Sequence, residues 1–75
     1  MSGVLNILTI YDRPRDHPNH VVLSSFAVGE GGQVDHLGSA LCDTIQEARA
    51  IPIGRGMFCL GRSPDDHPTV VESWV

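Results

Sequence analysis

The chain contains no lysine: its five cations are all arginines, Arg13, Arg15, Arg49, Arg55 and Arg62. Against nine acidic side chains this leaves a formal net charge of −4, which argues against nucleic-acid binding driven by bulk electrostatics. Cysteine is scarce too. Cys42 and Cys59 stand alone, with no CxxC pair, so neither a disulfide scaffold nor a recognisable zinc site is expected. No apolar run approaches the ~20 residues that span a bilayer. The run at residues 4–10 is too short for a secretory signal and has no basic residue before it. These absences point to a reducing cytoplasm, no membrane association, and two free thiols buried as small hydrophobes. Catalytic signatures are missing as well: there is no G-x-S-x-G, H-E-x-x-H or Walker loop. Gly29, Gly31 and Gly32 lack the spacing of the dinucleotide fingerprint. Ser24, Ser25 and Ser73 fall in strand-like stretches with no evident base. A non-enzymatic protein without a cofactor is the resulting expectation.

What is present fits one domain over residues 1–75. A chain of this size buries only about 60% of the surface it exposes when unfolded, and such thin cores are often completed by oligomerisation. A homo-oligomer is therefore expected. The arginine-only cations suit bidentate binding of phosphate or carboxylate. A GC-rich coding genome explains them equally well.

Residues 4–11 are β-branched and apolar on both faces, which predicts a strand central in its sheet. A helix packed on one face and a second subunit on the other would cover it. Residues 12–19 carry two prolines with Asp and Asn and read as a turn. Residues 20–28 read as a second, antiparallel strand. Residues 29–41 are glycine-rich without a period and predict a loop. A helix then starts at Asp43 or Thr44, where Thr44-Ile45-Gln46-Glu47 fits the capping box, and Pro52 is expected to stop it. Residues 56–61 and 69–75 read as two further strands. The predicted fold is α+β, a small β-β-α-β-β domain with a mainly antiparallel sheet and one short helix.

The two polar turns repeat a motif. Arg13-Pro14-Arg15-Asp16-His17-Pro18 leads into Val21-Val22, and Arg62-Ser63-Pro64-Asp65-Asp66-His67-Pro68 leads into Val70-Val71. Similar hairpin geometry would account for both. As a ligand site, the paired loops offer Arg13, Arg15 and Arg62 to an anion, His17 and His67 for hydrogen bonds or stacking, and Asp16 and Asp66 as acceptors. A metal-dependent hydrolase would instead use Asp16, His17, His20 and His67. His36 sits in the glycine-rich stretch and is expected to be solvated. Tyr11, Glu72 and Trp74 are candidate interface residues, because aromatic anchors concentrate at subunit and partner contacts.

Three stretches together carry a likeness: Tyr11-Asp12-Arg13-Pro14-Arg15-Asp16-His17-Pro18, Glu47-Ala48-Arg49, and Arg62 through Trp74 with its Asp-Asp-His-Pro-Thr-Val-Val-Glu-Ser-Trp run. In these the chain resembles small uncharacterised proteins encoded by tailed phages and prophages, over most of its length except residues 29–41. The resemblance implies a context, the cytoplasm of an infected or lysogenic bacterium, and brings no catalytic residues. It implies an accessory protein that counters host defence by binding. Two mechanisms stand open. The arginine-bearing loops would sequester a nucleotide-like small molecule, or an acidic surface of Asp12, Asp16, Glu30, Asp35, Asp65, Asp66 and Glu72 would dock on a basic host defence protein. In the second case the chain would inhibit a nucleic-acid-binding immune complex, much as an anti-CRISPR protein does.

Overall fold

The computed structural model describes residues 4–75. Its elements are β1 (Leu5–Asp12), β2 (Val21–Val28), β3 (Val34–Cys42), α1 (Ile45–Gly54), β4 (Cys59–Gly61) and β5 (Val70–Trp74). All strand pairs are antiparallel, in the sheet order β3-β2-β1-β5-β4. This is the expected small α+β domain, with β1 at the centre as its two apolar faces require.

The sheet has one strand more than the sequence predicts. Residues 29–41 are not a loop: only a tight turn at residues 29–33 precedes β3, closed by the Gly29 N–H donating to the Gln33 carbonyl at 2.8 Å. β3 lies at the sheet edge and is exposed along nearly its whole length, so burial imposes no apolar alternation on it. A bulge opposite Ser25 and Phe26 breaks the period further. Leu37 is the extra residue there, and Gly38 follows with φ 156°.

The helix begins as its cap predicts. Thr44 has extended backbone, and its hydroxyl accepts from the Glu47 N–H at 3.1 Å. The Glu47 carboxylate in turn accepts from the Asp43 N–H at 3.2 Å. Pro52 does not end the helix; it lies inside it, among the most fully buried side chains of the protein. Proline there forfeits one bond to the Ala48 carbonyl, and its ring is almost wholly shielded from solvent. The helix stops further on, where Gly56 takes φ 70°. The Met57 N–H donates to the Pro52 carbonyl and the Gly56 N–H to the Ile53 carbonyl, the paired bonds of a Schellman motif.

α1 covers one face of the sheet only. Leu8 and Ile10 from β1, Val21 and Leu23 from β2, Cys42 and Trp74 pack with Ala48, and Ile45, Ile51, Met57 and Val71 close around them. Each fully buried aliphatic side chain contributes about 1.5–3 kcal/mol. No helix among the described residues is long and apolar enough to cross a membrane.

Candidate functional site

The antiparallel order brings both Asp-His-Pro loops to one end of the sheet. Residues 13–20 leave the C-terminal end of β1, and residues 62–69 enter the N-terminal end of β5, its neighbour. The Asp12 N–H donates to the Thr69 carbonyl at 2.8 Å and ties the two together. Because Val21 pairs with Cys42, the N-terminus of α1 lies at the same end.

The loops share a sequence pattern but differ in what they do with it. In the second loop the polar groups are consumed internally. The Arg62 guanidinium donates to the carbonyls of Val70 at 3.1 Å and Asp66 at 3.3 Å. The Asp66 carboxylate accepts from the Ser63 N–H at 2.9 Å. The His67 ring meets the Thr69 hydroxyl at 2.9 Å and accepts from the Thr69 N–H at 3.2 Å. Ser63 and Thr69, which make these bonds possible, have Pro14 and Asn19 as their nearest counterparts in the first loop. That loop is held by backbone bonds alone: Arg13 N–H to His20 O, His17 N–H to Pro14 O, and His20 N–H to His17 O. Arg13, Arg15, Asp16, His17 and His20 make no side-chain hydrogen bond or ion pair with other described residues. Arg13 also has φ 49°, a left-handed conformation that costs a non-glycine residue about 1–2 kcal/mol.

Three depressions surround this end, and the predicted ligand residues divide among them. On the face away from α1, a groove of about 400 Å³ runs beneath the first loop. Pro14, Asp16 and His17 form one wall; Tyr11, Ser24, His36 and Ser39 rise from the strands. On the helix side, a cleft of about 370 Å³ holds Arg13 with Arg49, Asp12, Asp43 and Thr44. A third depression of about 300 Å³, again on the uncovered face, holds Arg62 and Asp66 beside Leu60 and Ile7. Arg15 and His67 line none of the three. The seven residues therefore share one end of the sheet but not one pocket.

His36 is the residue that sequence reasoning missed. It is exposed as expected, but it is not a loop residue. It stands on β3 with its Nε2 3.0 Å from the Ser39 hydroxyl, which in turn lies 2.9 Å from the Ser24 hydroxyl. Its ring rests against Phe26, with centroids 5.1 Å apart. Nearby, the Tyr11 phenol is pushed up from its ordinary pKa by burial and then by the negative charge of Asp66, so it stays a hydrogen-bond donor.

Comparison with known protein families, curated proteins and solved structures found no match.

Two further expectations need correction. Glu72 and Trp74 are not presented at a surface; both are buried beneath α1. The Arg49 guanidinium grips the Glu72 carboxylate through two bonds, Nη2 to Oε1 at 2.7 Å and Nε to Oε2 at 3.0 Å. The Trp74 indole N–H donates to the same Oε2 at 2.6 Å. Of the proposed interface trio only Tyr11 keeps partial exposure, and Glu72 drops out of the acidic surface. The cysteines are not both buried either: Cys42 is, Cys59 is exposed. Burial, then the charges of Glu47 and Asp43, push the Cys42 thiol up and disfavour its reactive thiolate. A maleimide at neutral pH is therefore expected to modify one thiol per native chain, Cys59, and the second only after unfolding. Two thiols reacting at equal rates would contradict the buried position of Cys42.

Metal chemistry finds no assembled ligand set. Among the described residues no three His, Cys, Asp or Glu side chains converge as a metal site would require. Asp16, His17, His20 and His67 thus do not form the cluster that a metal-dependent hydrolase would use.

Proposed function

We propose that this chain is a binding protein that sequesters a small nucleotide-like anion in the groove beneath the first Asp-His-Pro loop. The observation that carries the reading is the contrast between the two loops. The second spends its arginine, aspartate and histidine on its own folding. The first, of matching sequence, leaves all of them without a partner among the described residues, and its Asp16 and His17 wall a groove of about 400 Å³. That volume lies within the ~300–1,000 Å³ of ligand sites. Its lining suits a ligand with a flat ring and hydroxyls: His17, His36 and Tyr11 offer ring faces and N–H or O–H donors, and Asp16 accepts from a sugar hydroxyl or ring N–H. Arg15, in the same loop, is the charge partner for a phosphate.

Binding is favoured over catalysis by the state of the one base–hydroxyl pair in the groove. His36 meets Ser39 at hydrogen-bond distance, but Ser39 is already engaged by Ser24. No described carboxylate orients the other ring nitrogen, as a nucleophile–base pair requires. A phage-borne role in host counter-defence, which the sequence resemblance implies, agrees with sequestration and sets the ligand panel to test.

Isothermal titration of the purified chain against mono-, di- and cyclic nucleotides is the direct test. At least one is expected to bind. Arg15→Ala and His36→Ala are each expected to weaken that binding by about tenfold or more, as loss of a charged or ring partner does. A panel that shows no saturable binding, or variants that bind as tightly as the parent, would sink the proposal. Arg62→Ala is a folding control, since its guanidinium is committed to the second loop.

A further inference from the structure

The sheet has a helix on one face; on the other, only the loops at one end overlie it. Strand alternation and the pairing register place Leu5, Val34 and Leu41 on the uncovered face, the paired backbone bonds with Val75 add Phe58, and Leu60 lies there beside Ile7 and Ser73. These are five of the eight exposed large hydrophobics among the described residues, between 50% and 77% accessible. Ile7, Phe26 and Val28 continue the patch between them, half-buried. No strand residue on this face is Asp, Glu or Arg. Of the polar strand residues it carries, only Tyr11, at the groove end, has no side-chain hydrogen-bond partner among the described residues. Thr9 pairs with Ser73 at 3.2 Å, Ser24 with Ser39 at 2.9 Å, and Ser39 with His36. Covering Thr9 and Ser73 would orphan neither hydroxyl, so at this pair the usual penalty for burying polar groups is absent.

We infer that this face is the interface for a second copy of the chain, packed sheet against sheet. The area is close to the minimum. Strands of 8, 8, 9, 3 and 5 residues, ~4.8 Å apart, present roughly 520 Å² in projection. A biological dimer needs about 500 Å² or more from each partner. The chemistry selects a like partner. A basic effector would be met by carboxylates, and this face has none on its strands; an apolar, uncharged surface with internally paired hydroxyls complements itself. The economy of the fold points the same way. One helix on a five-stranded sheet leaves Ile10 and Pro52 as its only large side chains under 2% exposed among the described residues, and a second sheet ~10 Å away would turn the open face into a second core. The ligand groove opens at one end of this face, so the second copy would border it. The dimer itself requires no ligand, and its test is run without one.

The experiment is sedimentation of the unliganded chain over a concentration series, for the parent, Leu41→Lys/Leu60→Lys and Ile53→Lys. Ile53 is as exposed as these leucines, at 60%, but belongs to α1. The parent is expected to be a dimer. The double variant is expected to dissociate at least about 100-fold more readily, the loss typical of two interface anchors, and Ile53→Lys to behave as the parent. A monomeric parent overturns the inference. So does a dimer that survives the double substitution, or one that Ile53→Lys disrupts equally. Hydroxyl-radical footprinting of the parent, dilute against concentrated, reads the same face without any variant. Phe26, Phe58 and Leu60 should become protected while Ile53 does not, and unchanged labelling of the three would overturn the inference even if the double variant failed to fold.

Discussion

Trp74→Ala is expected to remove the cooperative unfolding transition at physiological temperature. Trp74 is 9% exposed and pairs with Leu8 on the central strand, so truncation leaves a cavity where helix, β1 and β5 meet. Substitutions of this kind cost about 3–5 kcal/mol. Small domains have only about 5–15 kcal/mol in total, and this one is at the low end of the size range. A loss of 3–5 kcal/mol corresponds to a fall in Tm of more than about 15 °C for a domain of this length. Circular dichroism during thermal unfolding measures it. Trp74→Phe separates packing from hydrogen bonding: it retains most of the apolar contact and loses the indole donor to Glu72, and should fall between the two. An alanine variant melting within a few degrees of the parent would mean that Trp74 is not the keystone its burial implies.

Acidification is expected to destabilise the parent through Glu72 and to leave Glu72→Gln without that component. The Arg49 guanidinium, and then the Trp74 indole N–H, hold the Glu72 carboxyl below its ordinary 4.5; burial opposes them and loses. A carboxyl whose folded pKa lies below its unfolded one binds more protons when unfolded. Its contribution to stability is therefore complete above about pH 4.5 and disappears as pH falls through the lower, folded value. Denaturant midpoints of the parent and Glu72→Gln should differ at neutral pH and converge as pH falls through the lowered, folded value. Arg49→Met should do the reverse. It strips the partner from a buried carboxylate, the costly way to break such a pair, so this variant should gain stability as protonation neutralises Glu72. Parallel curves for the parent and Glu72→Gln across the acid range would show that the pair contributes nothing.

Local signals were readable in the sequence where the local chain decides the outcome. The two apolar faces of residues 4–11 predict a central strand, and β1 is central. Thr44 and Glu47 predict the helix start, and both side chains cap it. Edges and tertiary pairs were not readable. β3 has no core to face along most of its length, so nothing forces an alternating pattern on Val34–Cys42. Pro52 carries the signature of a helix stop, yet its burial outweighs one lost backbone bond; Gly56, which ends the helix, was the stronger sign. Glu72 looked like a marker of solvent because its neutralising partner, Arg49, lies on another element 23 residues away. The repeated loop motif was visible at once. Its two fates were not, because they turn on Ser63 and Thr69, whose bonds exist only once the second loop has its shape.

The position of β1 between β2 and β5 also bears on how the chain finds its fold. β1, β2 and β3 form a meander whose pairings close over short stretches. The contact between Thr9 and Ser73, by contrast, spans 64 residues. The entropy of closing a loop grows with its length, by about 0.6 kcal/mol for each doubling, and topologies rich in distant contacts fold more slowly for that reason. The meander and helix are therefore expected to form first and β5 to dock last. Until it docks, the far edge of β1 is an open strand that any other chain can pair with. The interval before β5 arrives is when this protein is most exposed to misassembly.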